Sequence, residues 1–432
     1  MSRRLGDAAA PRTLLRTQSS PNVVGRGPSV RQPAAVRLAK SSSCACCPLP
    51  SPLAKSRYQR LTSLEPKFDM VAVVRPMNAE EERRKFFSGE PEKYEPQFMY
   101  RLPASEIEKA LRQHSSENQV ESRYVPHAMR ILESVLTRYG SYENYMELSG
   151  GEVVAEAELR PIVDEYLDQL GVRGEVKVNF DRNLVAGASF VKRTMVLNIR
   201  PQGVRRKWIE GTLHHEIGTH FLRDRNEKLQ PWGCEENGRQ KYRLEDENPT
   251  EEGLASLHTV LHREGHSLWR PALLYYATWR ALELSFRDLY EDLAQFLGSS
   301  HDERWDICVR AKRGLLDTSK PGGFAKDQCY LAGAMEVLAQ RRQIDFTALY
   351  AGKISVLDSH RARALGARLA RLLLPSFLRP ERRARYAELL DEIVADNGLS
   401  ELLDRPPSSR QRKSRRPSRC ATPAPADAAA AA

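Results

Sequence analysis

A spacing constrains this chain more than any other feature. His215-Glu216-Ile-Gly-Thr-His220 sets two histidines five residues apart, inside a segment whose apolar residues Trp208, Ile209, Leu213, Ile217, Phe221 and Leu222 define one core-facing side. An α-helix turns ~100° per residue, so five positions leave the two imidazoles roughly 140° apart. They can serve one site only if the helix widens between them. A single π-type turn does this, and such turns gather at functional sites. Gly218 lies between the histidines, and a residue without Cβ gives the backbone that freedom. The spacing thus predicts a helix distorted at one stated place.

The residue types point to a metal. The usual zinc-peptidase helix carries His-Glu-x-x-His, two ligands with a base beside the first. Here the same types stand one residue further apart. A third ligand is expected from a neighbouring helix, and Asn248-Pro-Thr-Glu-Glu-Gly-Leu-Ala-Ser256 opens one, with Thr250 able to cap it and Glu251 and Glu252 in its first turn. The string resembles the Asn-Glu-Gly-aromatic-Ala segment of the gluzincin aminopeptidases. That resemblance implies Glu252 as the ligand and Glu251 as its neighbour's orienter, or Glu251 as the ligand in a register shifted by one. The expected cofactor is one zinc ion per chain on His215, His220 and Glu252. Such a set leaves a fourth position for water, whose proton Glu216 can take, which points to peptide hydrolysis. His214 reads as structural, and His258, His262 and His266 as partnered or solvated helix residues.

The organisation is α+β, helix-dominated, with one small sheet. Ser105-Glu-Ile-Glu108 reads as a capping box opening a helix. Helical periodicity follows at 126–139 and 152–170, then at about 204–223, 250–264, 271–297, 303–314, 326–341, 355–373 and 380–396. Between them, 175–180, 185–190 and 194–199 favour strands, whose edge could take an extended peptide. Tyr275, Tyr276 and Trp279 read as core. Residues 1–66 and 405–432 are Pro/Ser/Arg-rich or Ala/Pro-rich and read as disordered tails around a catalytic domain at 67–404.

Charge divides along the same lines. Residues 1–60 hold eleven basic side chains against Asp7, and 405–432 hold seven against Asp427. The remaining 49 basic and 54 acidic residues leave the middle at −5, although the whole chain is +11. The tails therefore suit a polyanionic surface, whether nucleic acid, acidic lipid or an acidic protein polymer such as a microtubule, among which charge alone does not choose. No run of ~18 apolar residues is present, so no membrane span is expected. The N-terminus lacks a secretory h-region, and the scattered cysteines suit a reducing compartment.

At His215-Glu-Ile-Gly-Thr-His220 and Glu252-Gly-Leu-Ala255 the chain resembles the DUF1704 family, named for a Gln-Glu-Gly-Leu-Ala motif, and within it the tubulin tyrosine carboxypeptidases. Glu251 stands where the name has Gln, and Gly322-Gly-Phe-Ala-Lys-Asp-Gln-Cys-Tyr-Leu-Ala-Gly333 also resembles a family segment. The resemblance covers roughly 67–404. It implies a gluzincin-like zinc carboxypeptidase that removes the C-terminal tyrosine from the acidic tail of α-tubulin on microtubules, in the cytoplasm, with no nucleic-acid partner. Candidate substrate residues are Arg310, Arg313 and Lys326 for carboxylates and Tyr330 for an oxyanion. The competing readings are a zinc aminopeptidase or endopeptidase with another substrate, and a microtubule-binding protein with a structural metal.

Overall fold

The computed structural model describes residues 73–404, apart from 90, 91, 114–118, 183 and 185. The two expected tails lie outside the described residues. What is described is helix-rich with one three-stranded sheet, as the α+β reading expects.

Before the sheet come α1 (Ala79–Ser88), α2 (Ala104–Gln113), α3 (Val125–Tyr139), α4 (Tyr142–Gly150) and α5 (Glu156–Leu170). In α3 the apolar spacing places Ala128, Ile131, Leu132 and Val135 on one buried stripe. The capping-box expectation fails in detail. Helix α2 starts one residue earlier, the amides of Glu106 and Ile107 bond to Pro103 O, and Ser105 lies inside the first turn. Helix α5 starts four residues later than expected, because Val153 bridges Arg205 and Val154 donates to Val204 O, which holds that stretch extended.

The strands are β1 (Lys177–Phe180), β2 (Ala188–Val191) and β3 (Val196–Ile199), in the order β1-β3-β2. Strand β3 is central, parallel to β1 and antiparallel to β2, with Phe190 opposite Leu197. Strand β2 is thus an edge of the sheet among the described residues. After the sheet runs one continuous helical rod: α6 (Ile209–Leu213), a π-helical stretch at His214–Phe221, and α7 (Leu222–Glu227). The expected widening is present, and it spans both histidines.

Helix α8 (Thr250–Val260) packs against this rod and against α12 (Cys329–Gln340). The α8–α12 crossing is in backbone contact. A Cβ on Gly253 would lie 2.1 Å from Gly333 C, and one on Gly333 would lie 1.9 Å from Pro249 O. Only glycine fits at either place. Thr250 does not cap α8. Its hydroxyl accepts the Val356 amide instead.

The expected helix at 271–297 is broken into α9 (Trp269–Arg280), α10 (Phe286–Asp292) and a turn at Ala294–Leu297. Ser285 causes the break by capping α10 through the Asp288 amide. Helix α11 (His301–Lys312) and α13 (Arg383–Asp396) lie near their expected positions. The expected helix at 355–373 is absent. That segment is a chain of turns with one 3₁₀ turn at Leu369–Arg371. The cause is tertiary. Ser355 and Asp358 bond to each other, and Gln230 and Asn226 hold the Arg368 and Leu373 amides. Among the described residues no helix is long and apolar enough to cross a membrane.

Candidate metal centre

The π turn swings both imidazoles onto one side of the rod, where their ring centroids lie 4.9 Å apart. Glu252, in the first turn of α8, points at the same spot. Its Oε2 is 3.9 Å from His215 Nε2 and 3.6 Å from His220 Nε2. Donor atoms of the three lie within 4.8 Å of one another, close enough to converge on one ion.

The surrounding hydrogen bonds decide which nitrogens face that point. The Thr259 hydroxyl donates to Ala255 O, so its oxygen accepts from His215 Nδ1–H at 2.9 Å. His220 Nδ1 donates to Glu251 Oε1 at 2.8 Å. Both Nε2 lone pairs are therefore left for the centre, the arrangement that outer partners of metal-bound histidines impose. The fit to zinc is good: two neutral imidazole nitrogens and one carboxylate, with room for a further ligand. The structure places Glu252, not Glu251, against both histidines.

Glu251 is buried and also meets Arg223 and Lys353. Burial disfavours its charge, but those two cations outweigh burial and keep it ionised. Arg223 has no exposed surface, and it spends its other donors on the carbonyls of Leu349, Gly352 and Ile354. One guanidinium thus ties the centre to the loop that carries Lys353. Burial lowers the pKa of His215. At His220 burial acts the same way, but Glu252 and Glu251 prevail and raise it. The field that would hold a proton there would equally hold a divalent cation.

Glu216 lines the same cleft, and its Oε2 accepts the Phe190 amide of β2 at 2.8 Å. The base candidate is thereby fastened to the sheet edge. The cleft, about 350 Å³, is also lined by Ser189, Lys192, Asn248, Tyr330 and Lys353. Glu252's charge, followed by burial, raises the pKa of Tyr330 well above the phenol range, so its hydroxyl stays a donor.

Of the expected carboxylate receptors, the structure brings neither Arg310 nor Arg313 to the cleft wall. Both are bound to buried Asp327, at 2.8 and 2.6 Å. Lys326 is half-buried beside them and is likewise not on the lining. The lysines that do line the cleft are Lys192 and Lys353. Lys192 shares Asp224 with Lys228, two ammonium groups to one carboxylate, so the cluster keeps one positive charge. Sequence reading missed both, since an isolated lysine beside a strand or in a loop carries no signal. His214 packs edge-on against Tyr166, His262 and Phe377, away from the trio, and burial lowers its pKa to about 3. His266 is partnered by Asp396.

Residues 139–391 match the family described as microtubule-associated tyrosine carboxypeptidase. The chain is 41% identical over 339 residues to "Microtubule-associated tyrosine carboxypeptidase 1" of Rattus norvegicus, covering 77% of this chain and 69% of the relative. The human protein of that name gives the same identity and coverage. "Putative tyrosine carboxypeptidase MATCAP2" of Homo sapiens is 36% identical, covering 78% of this chain and 54% of the relative.

Proposed function

The chain belongs to the microtubule-associated tyrosine carboxypeptidase family, and from that premise we propose that it is a zinc-dependent carboxypeptidase removing the terminal tyrosine from the acidic α-tubulin tail on microtubules. The observation that carries the reading is the convergence of His215, His220 and Glu252 beside Glu216 in one cleft. We read the domain as gluzincin-like on the Glu-Gly-Leu-Ala string and this ligand set.

Zinc, held by those three side chains, would supply Lewis-acid polarisation and an easily deprotonated water. The chain's own residues do the rest. With Glu216 Oε2 fixed by the Phe190 amide, Oε1 takes the proton of the attacking water and returns it to the nitrogen of the departing tyrosine. The Tyr330 hydroxyl donates to the scissile carbonyl oxygen as charge builds there. Lys192 and Lys353 put positive charge into a cleft otherwise lined by Glu216, Asp224, Glu247, Glu251 and Glu252. We assign the terminal carboxylate to Lys192, which has charge to spare.

The test is the Glu216→Gln variant at matched zinc occupancy. The amide keeps the reach of the side chain but accepts no proton, so detyrosination falls by at least ~10²-fold with metal content unchanged. Equal rates would remove Glu216 as the base. A tail peptide closed as its carboxamide should be cut far more slowly than the free acid. Equal cutting of both would favour an endopeptidase or aminopeptidase.

A further inference from the structure

The π turn at His214–Phe221 is fastened from outside the cleft. The Thr219 hydroxyl donates to His214 O, the carbonyl that opens the turn, at 2.8 Å. With its proton committed there, the Thr219 oxygen accepts from His258 Nδ1–H at 2.7 Å. His258 Nε2 is then the acceptor of the Tyr386 hydroxyl at 2.9 Å. One tautomer satisfies all three bonds. Burial keeps the ring neutral, pushing the His258 pKa well below the imidazole range. Separately, the Tyr350 hydroxyl donates to Gly218 O, in the middle of the turn, at 2.6 Å. Thr219, His258, Tyr350 and Tyr386 are all buried and none lines the cleft.

We propose that Thr219, His258 and Tyr386, with Tyr350, form a clamp that holds the π turn open and so sets the angle at which His215 and His220 meet the metal. They are positioning residues. His258 sits on the helix that also serves the ligands. Helix α8 carries Glu252 in its first turn, Thr259 against His215, and His258 against Thr219. The same rigid helix therefore supplies the third ligand, orients the first, and grips the turn that separates the first from the second. Without the Thr219 bond the rod is free to relax toward regular α-helix, which parts the imidazoles.

The proposal rests on the reading of the trio as a zinc site, and the experiment separates the two. Zinc affinity of the full chain is measured by competition with a chromophoric chelator, and cobalt(II) is substituted to read the ligand field. Thr219→Val removes the hydroxyl at nearly constant volume, and Tyr386→Phe removes the far end of the chain. Each should lower zinc affinity ~10- to 100-fold, as losing outer partners of a metal site does, and shift the cobalt bands. Thr219→Ser should restore both. Leu289→Ala, a buried change on α10, which carries none of these hydrogen bonds, should lower thermal stability and leave affinity and spectrum alone. Wild-type affinity and spectrum in Thr219→Val and Tyr386→Phe would overturn the clamp while the zinc reading stands. Failure of the wild type to bind zinc would overturn the zinc reading and take the clamp with it.

Discussion

Replacing Gly218 with alanine tests the link between the distorted helix and the site it serves. The new Cβ would lie 2.9 Å from the Tyr166 hydroxyl, where ordinary contact begins at 3.4 Å, so one of the two must retreat by about 0.5 Å. Tyr166 is buried with its ring edge against His214, 5.5 Å between centroids, so it cannot swing without disturbing the neighbour of His215. Overpacking of this kind costs ~1–3 kcal/mol, while alanine for glycine in a helix returns about 1 kcal/mol. The net loss is therefore about 0–2 kcal/mol. In a Tyr166→Phe background the offending oxygen is gone and only the helical gain remains, about 1 kcal/mol of added stability. The double-mutant cycle should thus show a coupling of ~1–3 kcal/mol. Urea unfolding with chelator present reads the stability, and chelator competition reads zinc affinity. Gly218→Ala should weaken zinc binding, and Tyr166→Phe should rescue it. The same alanine cost in both backgrounds would show that the Tyr166 contact does not shape the turn.

Glu252→Gln and His220→Ala should each lose most bound zinc by metal analysis, and full retention by either would remove that residue from the site. Asp327 is held below the ordinary carboxylate pKa of 3.8, since Arg310 and Arg313 outweigh the burial that opposes ionisation. Its stabilisation is complete above pH 3.8 and is lost as pH falls through the lower folded value. Asp327→Asn should cost at most ~3–5 kcal/mol at neutral pH by taking the shared carboxylate from two half-buried guanidiniums, and the gap to wild type should close in acid. A gap that stays constant down to acid pH would mean that Asp327 is not the group responsible. Raising salt from 0.1 to 1 M shortens the screening length from about 10 to about 3 Å, so the full chain should pellet poorly with microtubules at high salt. Undiminished pelleting would exclude the basic tails as the main contact.

The π turn was legible because its argument is local: two residues of one chemistry at a forbidden spacing, with glycine between them. Strands β1–β3 were legible from alternation, though each ends up shorter than its pattern. Helix 355–373 was misread because its apolar period is real, but Arg223, Gln230, Asn226 and Thr250 draw its neighbourhood into turns from other parts of the chain. That Arg310 and Arg313 lie off the cleft lining was hidden for a related reason. Sequence shows a basic cluster but not that buried Asp327, fourteen residues past Arg313, engages both. Lys192 and Lys353 become visible only once the fold sets them around the trio.

The glycine crossing of α8 and α12 has a mechanical consequence. At Gly253 and Gly333 the two backbones already touch, so repulsion forbids any closer approach, whereas nothing comparable resists a slight parting. Glu252 precedes one glycine and Tyr330 lies one turn before the other. Motion of Glu252 relative to Tyr330 is thereby made one-sided: the two can drift apart and return to a fixed stop, but cannot overshoot it. The separation of Glu252 and Tyr330 thus has a lower limit set by backbone contact and not by side-chain packing.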